Sequence, residues 1–248
     1  MTDTVTKRIG SGDRLAVAEV FDQHGEALLH CAIATTLDIE YGMHACEKLF
    51  VNLMDLVRME RPSDQSMKKL LFFALHAEIN HTAKNRRLSQ KPVDTILVAG
   101  TATLPETYVE KTEEMLRRLK EQDREVVVFK ALGGLSLGDI AEITTERFDL
   151  IDRRHQEAVK RALDVLKPKD GEPEDIDIWL KRVKVRVSGN SFRNRAVAAF
   201  VTKRISQKKS RAPIWIAIGL FLLAGLAAGL KFLSDAQLQS LRDFFNAP

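Results

Sequence analysis

The side chains with recognisable chemistry in this chain are cations at helical spacing. Arg147, Arg153, Arg154, Lys160 and Arg161, with Gln156 among them, lie in a segment whose apolar positions recur every three to four residues. Guanidinium and ammonium groups in that pattern pair with phosphates, while Arg and Gln also form two hydrogen bonds to a base edge. Were this segment to read DNA, Arg153 and Gln156 would be best placed for base edges and the others for phosphates. The same residues suit a solvated charged face equally well. A second basic run, Lys84-Asn85-Arg86-Arg87, closes another helical segment, where cations also favour the negative end of the helix dipole. Catalysis is not expected, because no nucleophile with a base partner, no phosphate-cradling glycine loop and no paired carboxylates occur. Cys31 and Cys46, and His24, His30 and His44, show no metal-ligand spacing, so no metal and no other cofactor is expected.

The elements that must position these cations follow from hydrophobic periodicity. A helical block is expected over 13–88. Leu15, Ala18, Phe21, Leu28, Leu29, Ala32 and Ile33 mark one inward face; Cys46, Leu49, Phe50, Leu53, Leu56 and Val57 a second; Met67, Leu70, Leu71, Ala74 and Ala77 a third. Pro62 and the polar residues through Ser66 break the second helix from the third. Residues 89–110 lose the period and gain Pro, Gly and Thr, which marks a linker.

A second block spans 111–167. Leu116 and Leu119 share one helix, and Val126, Val127, Phe129 and Leu132 the next, with Gly133-Gly134 as its stop. Ser136-Leu137-Gly138-Asp139 has the spacing of a capping box, opening a short helix with Ile140, Ala141 and Ile143 inward. After a turn over Thr144 to Arg147, a longer helix carries Ile151, Ala158, Ala162 and Val165 and stops before Pro168. This order is the layout of a helix-turn-helix DNA reader, and many other three-helix packings share it.

Residues 116–163 resemble the promoter minus-35 reading domain of bacterial sigma factors of the extracytoplasmic-function group. The similarity runs without a gap through Asp123-Arg124-Glu125-Val126, Gly134-Leu135-Ser136, Asp139-Ile140-Ala141 and Ala158-Val159-Lys160-Arg161. The first block is similar to the same family's domain that holds core RNA polymerase and reads the minus-10 element. Phe21 to Asp38 falls at its first helix, Ala45 to Val57 at its polymerase-binding helix, and Leu70 to Arg87 at its element-reading helix. The resemblance covers about two thirds of the chain. It implies an all-α fold of two small helical domains, with core RNA polymerase and promoter DNA as partners.

On that resemblance, Glu47, Leu49, Phe50, Leu53 and Met54 form the helix that meets polymerase, although the spacing of the apolar members serves a core as well. Arg61, Lys84, Asn85, Arg86 and Arg87 contact promoter DNA, with the Arg61 to Ser66 loop placed to receive an unstacked base. The chain departs from the family where Glu146, Asp149 and Asp152 set three carboxylates near the start of the reading helix. Phosphate repels carboxylates there, and Asp149 also fits a helix cap.

The C-terminal third has a different character. From Ile178 to Arg211 there are eleven Lys and Arg and no Asp or Glu, and from Ala212 to Leu230 nineteen residues without a charge. At helical rise the apolar run covers roughly 28 Å, about the thickness of a bilayer's hydrocarbon. Its basic flank predicts that residues 1–211 lie on the cytoplasmic side. No signal peptide is expected at the N-terminus. The expected layout is therefore a basic juxtamembrane arm over 168–211, a membrane helix over 212–231, and a short extracytoplasmic tail over 232–248. The protein would sit in the inner membrane as a single-pass chain with its N-terminus in the cytoplasm. Phe192, Ala196, Ala199 and Phe200 form an apolar stripe in the arm beside Arg193, Arg195, Lys203 and Arg204, which suits a helix lying on anionic lipid. Residues 176–187 fit a strand and a helix equally. Gly225 and Gly229 make a GxxxG face through which two copies could associate.

These features predict a membrane-tethered sigma factor that binds core RNA polymerase and directs promoter-specific initiation, with a regulatory protein or a protease as the releasing agent. The alternative is a sigma-derived membrane adaptor or sequestering protein that no longer reads promoters.

Overall fold

The computed structural model describes residues 4–60, 66–85, 96–100, 104–168, 173, 175–187 and 191–203. They are mostly helical, with one two-stranded antiparallel sheet. Residues 1–201 form one compact unit. The expected membrane helix, its GxxxG face and the tail lie outside the described residues. No helix among the described residues is long and apolar enough to cross a membrane.

The three helices expected in the first block are present. They are preceded by a short helix that periodicity did not reveal, α1 (Val5–Gly10). Asp13 caps α2 (Arg14–Thr36) by accepting a hydrogen bond from the Leu15 backbone N–H at 2.8 Å. Then follow α3 (Ile39–Glu60) and α4 (Met67–Asn85). At the start of α2 the inward face differs from the expected one: Leu15 is 61% exposed, whereas Ala16, Val17 and Val20 are buried. The reason is that α1 packs on α2 and α3 here, and its buried Ile9 completes the core in place of Leu15. Helices α2 and α3 meet almost backbone to backbone at Gly42, where an added Cβ would lie 2.6 Å from Ile33 Cγ1 and 2.7 Å from Ile33 N.

The second block begins with β1 (Leu97–Ala99), inside the segment read as a linker, and α5 (Glu106–Arg118). Next is α6 (Glu121–Ala131), which is buried from Asp123 to Phe129. It is the hub of the unit, packed against α2 as well as against α7 (Leu137–Thr144), α8 (Phe148–Leu166) and α9 (Ile176–Arg182). Strand β2 (Val183–Val185) follows α9 directly and pairs with β1 in the register Leu97 to Val185 and Ala99 to Val183. Residues 176–187 are thus helix first and strand second. Asp175 caps the helical half through the Asp177 N–H, and alternating Val183 and Val185 bury one face of the strand.

The two blocks expected as separate small domains pack against each other inside one unit. The Arg124 guanidinium, from α6, donates to the Thr35 carbonyl of α2 at 2.7 Å. Phe72 of α4 meets Phe129 of α6 edge to face at 5.2 Å. His76 Nδ1 lies 2.7 Å from Glu125 Oε1.

The basic arm departs most from expectation. Residues 191–203 form a helix, α10, and most of its apolar stripe is covered by protein. Phe192, Ala196 and Phe200 are buried in the protein core, and the Phe192 ring stands 5.8 Å from that of Phe21. A stripe of that width satisfies a protein groove as readily as a membrane surface, and the α2–α3 groove supplies matching rings.

Candidate nucleic-acid interface

Local sequence builds the succession of α6, α7 and α8. Helix α6 ends at Ala131, and Gly134 takes the left-handed conformation, φ +58°, that turns the chain. Ser136 Oγ accepts the Asp139 N–H at 3.1 Å while Asp139 Oδ2 accepts the Ser136 N–H at 3.3 Å, so the capping box is complete. Thr145, φ 57°, closes α7 and points the chain into α8. Ile140, Ala141 and Ile143 of α7 and Ile151, Ala158, Ala162 and Leu166 of α8 are buried. Leu166 takes the inward place expected of Val165, because α8 continues a full turn beyond Ala162.

The candidate DNA-reading residues divide into two sets. Arg154 is turned inward, 2.6 Å from Glu146 and 3.8 Å from Asp123, and Arg161 is 2.6 Å from Asp123. Both fasten α8 to α6 through a buried carboxylate that periodicity gave no reason to single out. Arg147 forms a two-pronged pair with Asp149, 3.0 Å at each contact. The N-cap of α8 is Arg147 and no side-chain cap bond forms, so Asp149 is an ion-pair partner in the first turn and not a cap. Gln156 donates to Asp152 at 3.0 Å. Each of the three carboxylates near the start of α8 is thereby engaged by a neighbouring side chain. Arg153 and Lys160 are exposed and carry no ion pair among the described residues. With Gln156 they stand at i, i+3 and i+7, along one face of α8.

In the first block, Arg61, Arg86 and Arg87 lie outside the described residues, and Lys84 and Asn85 fall in the last turn of α4 with their side chains outside them. Between α4 and α7, a cavity of about 320 Å³ is lined by Glu60, Ser66, Lys69, Leu70, Phe73, Glu142 and Ile143. Phe73 is 44% exposed, a ring face that the spacing on α4 did not single out. Lys69 joins the blocks here, 2.8 Å from both Asp139 and Glu142. Hydrogen bonds to these two carboxylates raise the pKa of its ammonium and keep it charged.

Of the candidate polymerase-binding residues, Leu49, Phe50, Leu53 and Met54 are buried and belong to the core in this conformation. Glu47 is partly exposed, and its carboxylate lies 2.8 Å from Arg195 of α10. The Cys31 and Cys46 thiols are fully buried, and desolvation pushes both well above the ordinary thiol range. No group of three or more His, Cys, Asp or Glu among the described residues could hold a metal ion. No protein-family model and no curated protein sequence matches this chain.

Proposed function

We propose that this chain is a membrane-tethered sigma-type initiation factor, whose first block engages core RNA polymerase while α8 and the basic end of α4 contact promoter DNA. The observation that carries the reading is the α6–α7–α8 arrangement: a completed capping box, a left-handed turn residue, and an outer face bearing Arg153, Gln156 and Lys160. A helix presented in this way fits the major groove, with cations on phosphate and Gln or Arg at base edges. The apolar run 212–230 with its basic flank supports an inner-membrane anchor.

The second reading is a sigma-derived adaptor that binds polymerase without reading DNA. It is favoured by the inward engagement of Arg154 with Glu146, which removes that cation from the outer face of α8. Full-length protein in lipid nanodiscs, added to core polymerase on a library of promoter templates, separates the two. Template-specific initiation is required by the first. Polymerase binding without initiation supports the adaptor, and no binding removes both.

A further inference from the structure

The outward sides of α2 and α3 form a groove that one segment of this same chain already fills. Helix α10 buries Phe192, Ala196 and Phe200, at i, i+4 and i+8, and its Phe192 ring packs on Phe21 of α2. The rings of Phe192, Phe21 and Phe50 stand in series, 5.8 and 5.1 Å apart, running from α10 through α2 to α3. Two cations rim the stripe. Arg193 makes two hydrogen bonds to Asp22 of α2, and Arg195 pairs with Glu47 of α3.

This seat has a divided character. Its apolar part is as buried as a core, but its polar rim is open: side-chain exposure is 34% and 56% for the Arg193–Asp22 pair and 58% and 21% for Arg195–Glu47. Ion pairs so exposed contribute little and are weakened by salt. The helix is held by a short stripe and two weak clasps. One clasp lands on Glu47, a residue of the face assigned above to polymerase.

We propose that α10 is a latch that competes in cis with core RNA polymerase for the α2–α3 face, so that polymerase binding requires α10 to lift away. The proposal rests on the sigma-type reading. Seated α10 occupies the Glu47 carboxylate and covers the groove beside it, so only the fraction of molecules with α10 lifted binds. The apparent dissociation constant rises in inverse proportion to that fraction. The basic arm acts as an internal stand-in for the partner.

The test uses full-length protein in nanodiscs with Asp22→Cys and Arg193→Cys, joined by a short bifunctional thiol reagent that reductant cleaves. Cys31 and Cys46 are fully buried and unreactive toward it. The joined form should bind core polymerase at least about tenfold more weakly than the cleaved form, the latch being unable to lift. Arg193→Asp with Arg195→Asp should bind about threefold or more tightly than wild type, and adding Asp22→Arg should restore one clasp and bring binding part of the way back toward wild type. In the polymerase complex, amide exchange across 192–200 should rise.

Equal binding by joined and cleaved forms would overturn the latch, as would undiminished protection of 192–200 in the complex. Failure of the sigma-type reading looks different. Neither the cleaved form nor the doubly substituted variant would then bind polymerase, even with exchange in 192–200 raised, and the latch proposal falls with it.

Discussion

Arg124 is the residue whose replacement most directly tests how this fold is held. Its side chain is nearly inaccessible, 8% exposed, and its donors go to three main-chain carbonyls: Thr35 at 2.7 Å, Leu116 at 3.1 Å and Leu119 at 3.3 Å. These carbonyls belong to the last turn of α2 and the end of α5, where helices leave acceptors without intrahelical donors. A guanidinium is suited to the place, since it presents several donors in a rigid plane and stays charged at any working pH. Burial lowers its pKa, because the apolar surroundings disfavour the charged form.

Arg124→Met keeps much of the apolar stem and removes every donor. Three buried acceptors losing their partner at about 1 kcal/mol each, with some lost packing, give a destabilisation of about 3–5 kcal/mol. For a unit of this size that lowers the midpoint of thermal unfolding by about 10 °C. Circular dichroism of full-length protein in detergent, wild type against variant, measures it. Arg124→Lys should fall between the two, and Arg118→Ala, which breaks an exposed pair with Glu114, should change stability by less than about 0.5 kcal/mol. A loss below about 1 kcal/mol for Arg124→Met would refute the assignment of these carbonyls to Arg124.

Gly42→Ala should cost about 1–3 kcal/mol, because the new methyl meets the Ile33 backbone N and Cα as well as its Cγ1, and the backbone cannot swing aside; unchanged thermal stability would show that α2 and α3 do not cross so closely. His76 is subject to burial, which lowers its pKa, but the Glu125 hydrogen bond and charge more than offset this, and the net shift is upward from 6.5. The imidazolium–Glu125 contact therefore stabilises fully below about pH 6.5 and is lost as pH rises through the higher folded-state value. His76→Gln should cost about 1–3 kcal/mol in acid, with the gap from wild type narrowing above neutrality; a gap independent of pH contradicts the charged contact. If α8 reads promoter DNA, Lys160→Ala should reduce the salt dependence of binding by about one ion. Arg153→Ala should weaken binding more on the preferred template than on others, and an equal loss on every template would move Arg153 from base to phosphate.

Several features were legible in the sequence because their causes are local. The Ser136–Asp139 capping box, the left-handed Gly134 and the stop before Pro168 each depend on contacts within a few residues, so residue type and spacing suffice. The inward faces of α3, α7 and α8 were also readable, since one apolar stripe against one core leaves little choice. The beginning of α2 was not, because α1 supplies Ile9 from outside the helix and shifts which side needs covering.

What the tertiary structure alone decided are partnerships between distant segments. Whether Val183-Lys184-Val185 became strand or helix depended on an edge offered by Leu97–Ala99, far away in sequence, where Glu113 accepts the Ile96 N–H at 3.1 Å and helps hold the strand in place. Asp123 looks like any acidic residue in a first helical turn until Arg154 and Arg161 converge on it and leave the outer face of α8 to Arg153, Gln156 and Lys160. The stripe of α10 is the clearest case. Periodicity states that one side of a helix must leave water, and it carries no information on whether lipid or protein will cover that side; the rings of Phe21 and Phe50 and the carboxylates of Asp22 and Glu47 settled the choice.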